Sequence, residues 1–410
     1  MRILFLTDNF PPEVNAPATR TYEHCKEWVK QGVDVTVITC FPNFPQGKVY
    51  DGYKNKRIER EEKDGIKVIR VWSYIAENKG FAKRVIDFVS FSFSAFFAGL
   101  FQKTDVIIAT TPQFFTALAG RTLSFCKGKP WVMEVRDLWP ESIKTVGAMK
   151  DNLFIRYFEK EEMWCYKSAA KIVVVTDSFK NTLIGKGIDK DKIEVVKNGA
   201  NLELFKHSEK DKDLVNKLRL NGKTVLAYVG TIGMAHNIGF ILDCAKHMKN
   251  TSYHFLIVGD GAERCKLEER AKKEQLLNVS FIKSVPKNEV VKYLSLADIA
   301  LINLRSSELF KTVIPSKIFE SAAMQIPILI GVDGEARSII EQYEAGLYYE
   351  PENIDDFLEK LEKICIKEQY EKCQEGGRKI ARAFDRKLQA NSMFDVLRGL
   401  SSKNNARRTT

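Results

Sequence analysis

No Cys-x-x-Cys pair occurs in the 410 residues, and the eight cysteines lie scattered from Cys25 to Cys373 in apolar helical or strand contexts. That scatter argues against a disulfide framework and for a reduced compartment. Histidine is scarce, with no His-x-x-x-His spacing and no Cys/His cluster, so no metal site is assigned. No apolar run reaches the roughly 20 residues of a membrane-spanning helix. The first apolar run ends at Asp8, too early for a signal peptide, and reads as a buried strand. No glycine-rich segment fits Gly-x-Gly-x-x-Gly, which leaves NAD binding without support. Nucleic-acid-binding motifs and internal repeats are also missing.

Positive charge is abundant. The formal net charge is +11 and the isoelectric point about 9.1. Such a chain wants an anionic partner: nucleic acid, an acidic membrane surface or phosphorylated small molecules. Charge alone does not choose among them. A length of 410 residues exceeds what one hydrophobic core serves, so two domains are expected.

Short β-branched apolar runs alternate with amphipathic helical segments, the pattern of parallel sheets flanked by helices. In the first half the strands are expected at 3–6, 33–38, 68–71, 106–109, 131–135, 172–175 and 193–196. A second series is expected at 225–229, 255–258, 279–282, 299–302 and 328–330, after a charged lead-in over 206–222. The chain therefore reads as two tandem α/β, doubly wound domains, and ligands in such sheets sit beyond the carboxyl ends of the strands. The expected boundaries are 1–203 and 204–375, with helices over 376–400 packing back toward the first domain and a disordered tail over 401–410.

Residues 85–101 read VIDFVSFSFSAFFAGLF and carry Phe88, Phe91, Phe93, Phe96, Phe97 and Phe101 between basic flanks at Lys79, Lys83, Arg84 and Lys103. Two readings stand side by side: a buried helix, or a helix lying on an anionic membrane surface.

Residues 310–331 read FKTVIPSKIFESAAMQIPILIG. Pro315 suits a first helical turn. It leaves the N–H groups of Ser316, Lys317 and Ile318 open to a phosphate, with the charge of Lys317 added and Lys311 just upstream. Glu320, one turn on, suits ribose hydroxyls. Taken alone, the same stretch also fits an ordinary capped helix. VLAYVGTIG (225–233) and FLIVGDGAE (255–263) each end a strand in a glycine turn where a ligand can approach the backbone. In the first half, FPPEVNAPATR (10–20) and VRDLWPES (135–142) follow strand ends. Arg136 and Asp137 beside a buried strand are either an ion pair or functional groups.

These stretches, with QGVDVTVIT (31–39), VVKNGANLELF (195–205) and IPSKIFESAAMQIPIL (314–329), resemble family 4 retaining glycosyltransferases of the GT-B fold, two Rossmann-like domains facing across a cleft. The likeness is greatest to the L-fucosaminyltransferase type of bacterial O-antigen and capsule assembly. It implies transfer of a sugar, such as N-acetyl-L-fucosamine, from a UDP-sugar to a saccharide on a polyprenyl diphosphate. It also implies a cytoplasmic enzyme held at the inner membrane face through the basic, Phe-rich segment 81–103, with no nucleic-acid partner, no metal and no cofactor beyond the UDP-sugar substrate.

Carried over by position, the donor side comprises Gly230, Thr231, Lys283, Lys311, Pro315, Ser316, Lys317 and Glu320. Asp137, Asn15 and Lys317 take the catalytic places, and Glu13, Ala16, Arg20 and Arg136 face the acceptor. Three departures from the family pattern stand out. Thr312 replaces the first Glu of the Glu-x7-Glu signature, Thr231 and His236 replace a basic pair, and Asn15–Ala16 replace a Gly-Gly pair. Arg305 then joins Lys311 and Lys317 among the cations left to offset the diphosphate. The alternative is a GT-B sugar-nucleotide 2-epimerase acting on UDP-sugars.

Overall fold

The structure is a computed structural model that describes residues 1–75, 81–111, 114–138, 153–249 and 251–406. The chain divides into two compact units, Met1–Lys197 with Lys387–Thr410, and Asn198–Arg386.

The first unit is built on an eight-stranded sheet. Its strands are β1 (Arg2–Leu6), β2 (Asp34–Cys40), β3 (Ile58–Lys63), β4 (Ile66–Val71), β5 (Val106–Thr110), β6 (Trp131–Val135), β7 (Lys171–Val174) and β8 (Ile193–Val195). Their order is β3-β4-β2-β1-β5-β6-β7-β8, parallel except where β3 meets β4. The central strands are buried on both faces, so their sequences are near-continuous apolar runs. The seven expected strands are all present. The additional one, β3, reads IEREEK and stays mostly exposed; charge on an edge strand blocks pairing with other chains and hides the strand from an apolar-run reading. The helices are α1 (Ala16–Lys30), α2 (Phe81–Leu100), α3 (Phe114–Lys127), α4 (Leu153–Ser168) and α5 (Asp177–Gly185).

The second unit holds a six-stranded, all-parallel sheet. Its strands are β9 (Thr224–Val229), β10 (Tyr253–Val258), β11 (Val279–Ile282), β12 (Ile299–Asn303), β13 (Ile328–Gly331) and β14 (Gly346–Tyr348). The order is β11-β10-β9-β12-β13-β14. Leu226 of β9 pairs with Phe255 of β10 on one side and Ile299 of β12 on the other. The winding reverses there, and the crevice above that reversal is where open α/β sheets take ligands. The helices are α6 (Lys212–Lys217), α7 (Ile238–His247), α8 (Arg264–Lys273), α9 (Lys287–Ser295), α10 (Lys317–Ala323), α11 (Glu335–Tyr343), α12 (Ile354–Ile364) and α13 (Lys367–Ala383). Two apolar clusters, one on each face of the sheet, form the core.

The last helix, α14 (Arg386–Ala406), returns to the first unit. Trp28 of α1 donates its indole N–H to the Ala390 carbonyl at 2.8 Å, and Met393 and Leu397 are buried in the same core. The boundary therefore falls at Lys197 rather than 203, and α13 stays with the second unit. Helix α14 also runs on through 401–406, where a disordered tail was expected.

Candidate functional site

The site is built at the carboxyl ends of β9 and β10. Gly230 follows β9 with φ +146°, and Gly259 follows β10 with φ +148°. A Cβ on Gly259 would stand 1.8 Å from the Gly230 carbonyl oxygen, and one on Gly230 would stand 2.5 Å from Cε of Lys317. Both positions need glycine, because the two loops nest and the lysine side chain passes against the first of them.

Lys317 is the first residue of α10 and is half-buried. Its ammonium lies 3.7 Å from the centre of the Tyr228 ring and donates to the phenol oxygen at 2.5 Å. Tyr228 in turn gives its hydrogen to the Thr231 carbonyl at 2.6 Å, so the phenol is fixed as an acceptor toward the lysine. Among the described residues no carboxylate lies within ion-pair distance of Lys317. Burial pushes its pKa down to about 7, against a smaller upward pull from Glu320. The ring of His236 meets Tyr228 edge-on at 6.3 Å. Burial and the neighbouring Lys317 push that imidazole down to about 3, so it is neutral, and its Nδ1 has no hydrogen-bond partner among the described residues.

Ser316 caps α10 without a side-chain hydrogen bond. The N–H groups of Ser316 and Lys317 donate to no group among the described residues, as expected. That of Ile318 was expected to be open as well; instead it donates to the Pro315 carbonyl at 3.1 Å in a tight first turn. Glu320 sits 3.4 Å from Lys287, both partly exposed. A void of only about 10 Å³ lies between Lys317, Glu320 and the β9 residues Ala227 and Val229, so a ligand of Lys317 must approach from the open side.

The other donor-side residues are less concentrated. Thr231 is exposed, as is Lys283 in the loop after β11. Lys311 is ion-paired to Glu308 at 2.7 Å. Thr312, which stands in place of a glutamate, donates to the Leu309 carbonyl at 2.7 Å and closes a turn.

The residues singled out in the first unit are largely committed to internal bonds. Asn15 caps α1, accepting from the Ala18 N–H at 2.9 Å and donating to Asn9 at 2.6 Å. Ala16 is exposed beside it. Glu13 is buried and accepts from the amides of Asn43 and Phe44, each at 2.8 Å, and of Phe10 at 3.3 Å. Burial pushes its carboxyl up despite those donors. Arg20 is fully buried, bonded to Glu134 at 2.8 Å and to the carbonyls of Val196 and Lys197. Burial pulls the Glu134 carboxyl up, but Arg20 and Arg136 outweigh it and hold the group below its ordinary value. Arg136 and Asp137 are half-buried after β6, and the Arg136 N–H donates to Thr111 Oγ1 at 2.8 Å. Trp139, Pro140, Glu141 and Ser142 lie outside the described residues, as does Lys79.

The sequence also holds two Asp-x-Asp spacings, at 189/191 and 211/213. Asp189 and Asp211 both serve as helix caps, accepting from the N–H groups of Asp191 and Leu214. Among the described residues no group of three or more His, Cys, Asp or Glu is placed to hold a metal ion.

Comparison with known proteins supplies the class. Residues 15–199 match the family profile described as Glycosyl transferase 4-like domain, and residues 190–380 that of Glycosyl transferases group 1. The chain thus carries two glycosyltransferase domains, and its fold is GT-B. It is 26% identical over 381 residues to the putative colanic acid biosynthesis glycosyl transferase WcaI of Escherichia coli K12, covering 89% of this chain and 92% of that one. The sucrose-phosphate synthase of Thermosynechococcus elongatus superposes with a TM-score of 0.78 at 15% identity, over 98% of this chain and 99% of the other. Anabaena Alr3699/HepE, solved with UDP and glucose, superposes with a TM-score of 0.73 at 14% identity, over 98% and 100%. At such identities the two structures speak to the fold alone. Nothing among these relatives favours the epimerase alternative.

Proposed function

We propose that the chain is a retaining glycosyltransferase of bacterial surface-polysaccharide assembly that takes its sugar from a nucleoside diphosphate, most simply UDP. The reading rests on Lys317, a half-buried ammonium that has an aromatic face and a phenol oxygen for company but, among the described residues, no carboxylate at ion-pair distance. A cation so placed, beside the open amides of Ser316 and Lys317 and above the winding reversal of the sheet, suits a diphosphate. The family resemblance assigns the ribose hydroxyls to Glu320, one turn into the same helix.

As the glycosyl bond breaks, negative charge gathers on the leaving phosphate. Lys317 and the two amides are fixed before the reaction and answer that charge without reorganising. The diphosphate also draws a proton onto Lys317, whose pKa of about 7 leaves it only part-charged beforehand. Metal-independent, front-face transfer follows the family resemblance, with the leaving phosphate taking the acceptor proton. The same resemblance favours an N-acetylated amino or deoxy sugar such as N-acetyl-L-fucosamine. The name of the colanic acid relative supports a role in polysaccharide synthesis.

A polyprenyl-diphosphate-linked acceptor is favoured by α2. Its Phe91 and Ala95 are buried, while Ile86, Val89, Phe93, Phe97 and Phe101 form an exposed stripe, Phe93 at 66% and Phe101 at 82% exposure. Lys83, Arg84 and Lys103 stand exposed at its ends. No helix among the described residues is long and apolar enough to cross a membrane. An amphipathic, aromatic, basic-flanked helix suits the surface of an anionic bilayer instead.

Calorimetric titration of UDP into the wild type and Lys317→Ala tests the central claim. The wild type should bind and the variant should lose at least tenfold in affinity. Equal affinity in both would remove the assignment.

A further inference from the structure

A second cavity, of about 220 Å³, opens at the carboxyl ends of β12, β13 and β14. It is lined by Arg305, Ser306, Ser307, Phe310, Tyr348 and Glu350, with Lys311 and Asp333 at its margin. Neither Tyr348, Glu350 nor Asp333 belongs to any stretch singled out in the sequence.

The lining has an uneven balance of charge. Lys311 is answered by Glu308 and Asp333 by Arg337. The guanidinium of Arg305 makes no hydrogen bond or ion pair among the described residues. The carboxylate of Glu350 accepts from Asn353 at 2.9 Å but, among the described residues, has no cation within ion-pair distance. One free donor fork, one free acceptor, two serine hydroxyls and two aromatic rings thus share a single cavity. A uronate would meet two carboxylates there, and an apolar ligand would strand the charges. An uncharged ring bearing several hydroxyls satisfies all of them: it donates to Glu350, accepts from Arg305, and lays its C–H face on an aromatic ring.

Hydrogen bonds tie the cavity to the loop beside Lys317. The Arg305 N–H donates to the Ala235 carbonyl at 2.9 Å, and Asn303 donates to the carbonyls of His236 and Asn237. The end of β12 is thereby tied to the loop that carries His236, the neighbour of Lys317. On the reading of Lys317 given above, we propose that this cavity receives the uncharged pyranosyl ring of the donor, with Arg305, Tyr348 and Glu350 as its specificity-determining residues.

The test is calorimetric titration of the full chain with UDP, GDP and dTDP, each free and as its glucose derivative, with UDP-N-acetylglucosamine and UDP-glucuronate added. Variants Arg305→Gln, Glu350→Gln and Tyr348→Ala are compared with wild type after their melting curves confirm folding. Arg305 and Glu350 are exposed, so their variants keep the question open even if Tyr348→Ala misfolds. For the nucleotide that the wild type binds, Glu350→Gln and Tyr348→Ala should hold free-nucleotide affinity within twofold and weaken its uncharged sugar derivative at least tenfold, and Arg305→Gln should weaken the sugar derivative at least tenfold further than the free nucleotide. UDP-glucuronate should bind the wild type no better than UDP. Equal loss for free nucleotide and sugar derivative, or no loss for either, overturns the proposal while leaving the Lys317 reading intact. A wild type that binds no nucleotide overturns both.

Discussion

Gly230 and Lys317 share one space: a Cβ on the glycine would stand 2.5 Å from the lysine Cε and 3.0 Å from its Nζ. The strand-end glycine is therefore a passage for a side chain as well as a turn. Gly230→Ala should displace the ammonium from Tyr228 and lower kcat/KM by about two orders of magnitude, near the effect of removing one preorganised charge donor. Melting should shift by only a few degrees. Gly259→Ala pits a methyl against the Gly230 carbonyl, backbone that cannot step aside, and should cost more stability than Gly230→Ala. Thermal melts beside initial rates separate the two outcomes.

The lysine also sets a pH dependence. Burial depresses its folded-state pKa to about 7 from the ordinary lysine value of 10.5. Below pH 7 it is charged before the diphosphate arrives, and affinity should be flat. Above pH 7 binding must take up a proton, so the dissociation constant of UDP should rise about tenfold per pH unit until the complex itself deprotonates. The free protein should move the other way. Its unfolded chain holds more protons on this group between about pH 7 and 10, so the contribution of Lys317 to stability grows over that window. Lys317→Met should flatten both curves. A UDP affinity that is already flat in the wild type between pH 7 and 9 would contradict the argument.

Arg20 and Glu134 form an ion pair with side-chain exposures of 0% and 1%. Removing one member strands the other, at a cost of about 3–5 kcal/mol. Arg20→Met should therefore lower the melting temperature by several degrees while sparing turnover per folded molecule. Normal stability with lost turnover would restore Arg20 to the acceptor side.

The α2 stripe makes its own prediction. Phe93→Asp with Phe97→Asp should abolish sedimentation with vesicles rich in phosphatidylglycerol and leave UDP affinity unchanged. Binding should also weaken with salt, because Lys83, Arg84 and Lys103 supply its electrostatic part. Persistent vesicle binding by the double variant would place the membrane contact elsewhere.

The fold was largely legible in the residues because buried parallel strands read as apolar runs. Twelve strands were expected at positions where strands occur; β3 escaped because its edge is charged, and β14 because it has only three residues and opens on glycine. The candidate site around Lys317 was half legible. Ser316 and Lys317 open the helix as the Pro-Ser-Lys string suggests, whereas Pro315 falls just before its first turn and takes the Ile318 amide, and the Tyr228 ring under Lys317 comes from a strand far away in sequence. Glu13 and Arg20 show the opposite limit. Charged residues in the loop and helix that follow β1 look like functional groups, yet Glu13 is held by backbone amides and Arg20 by Glu134 and backbone carbonyls, partners that no local pattern reveals. The cavity at Tyr348 and Glu350 left no trace in sequence, since three separate strand ends build it.

The return of α14 makes the two units unequal as pieces of polypeptide. Asn198–Arg386 is one uninterrupted stretch and can be cut out with a single pair of primers. The other unit has no such freedom: a stop codon after Arg386 would strip Met393 and Leu397 from around Trp28 and leave an insoluble fragment. Nucleotide titrations on the excised stretch, and lipid work only on the intact chain, are the experiments this architecture permits.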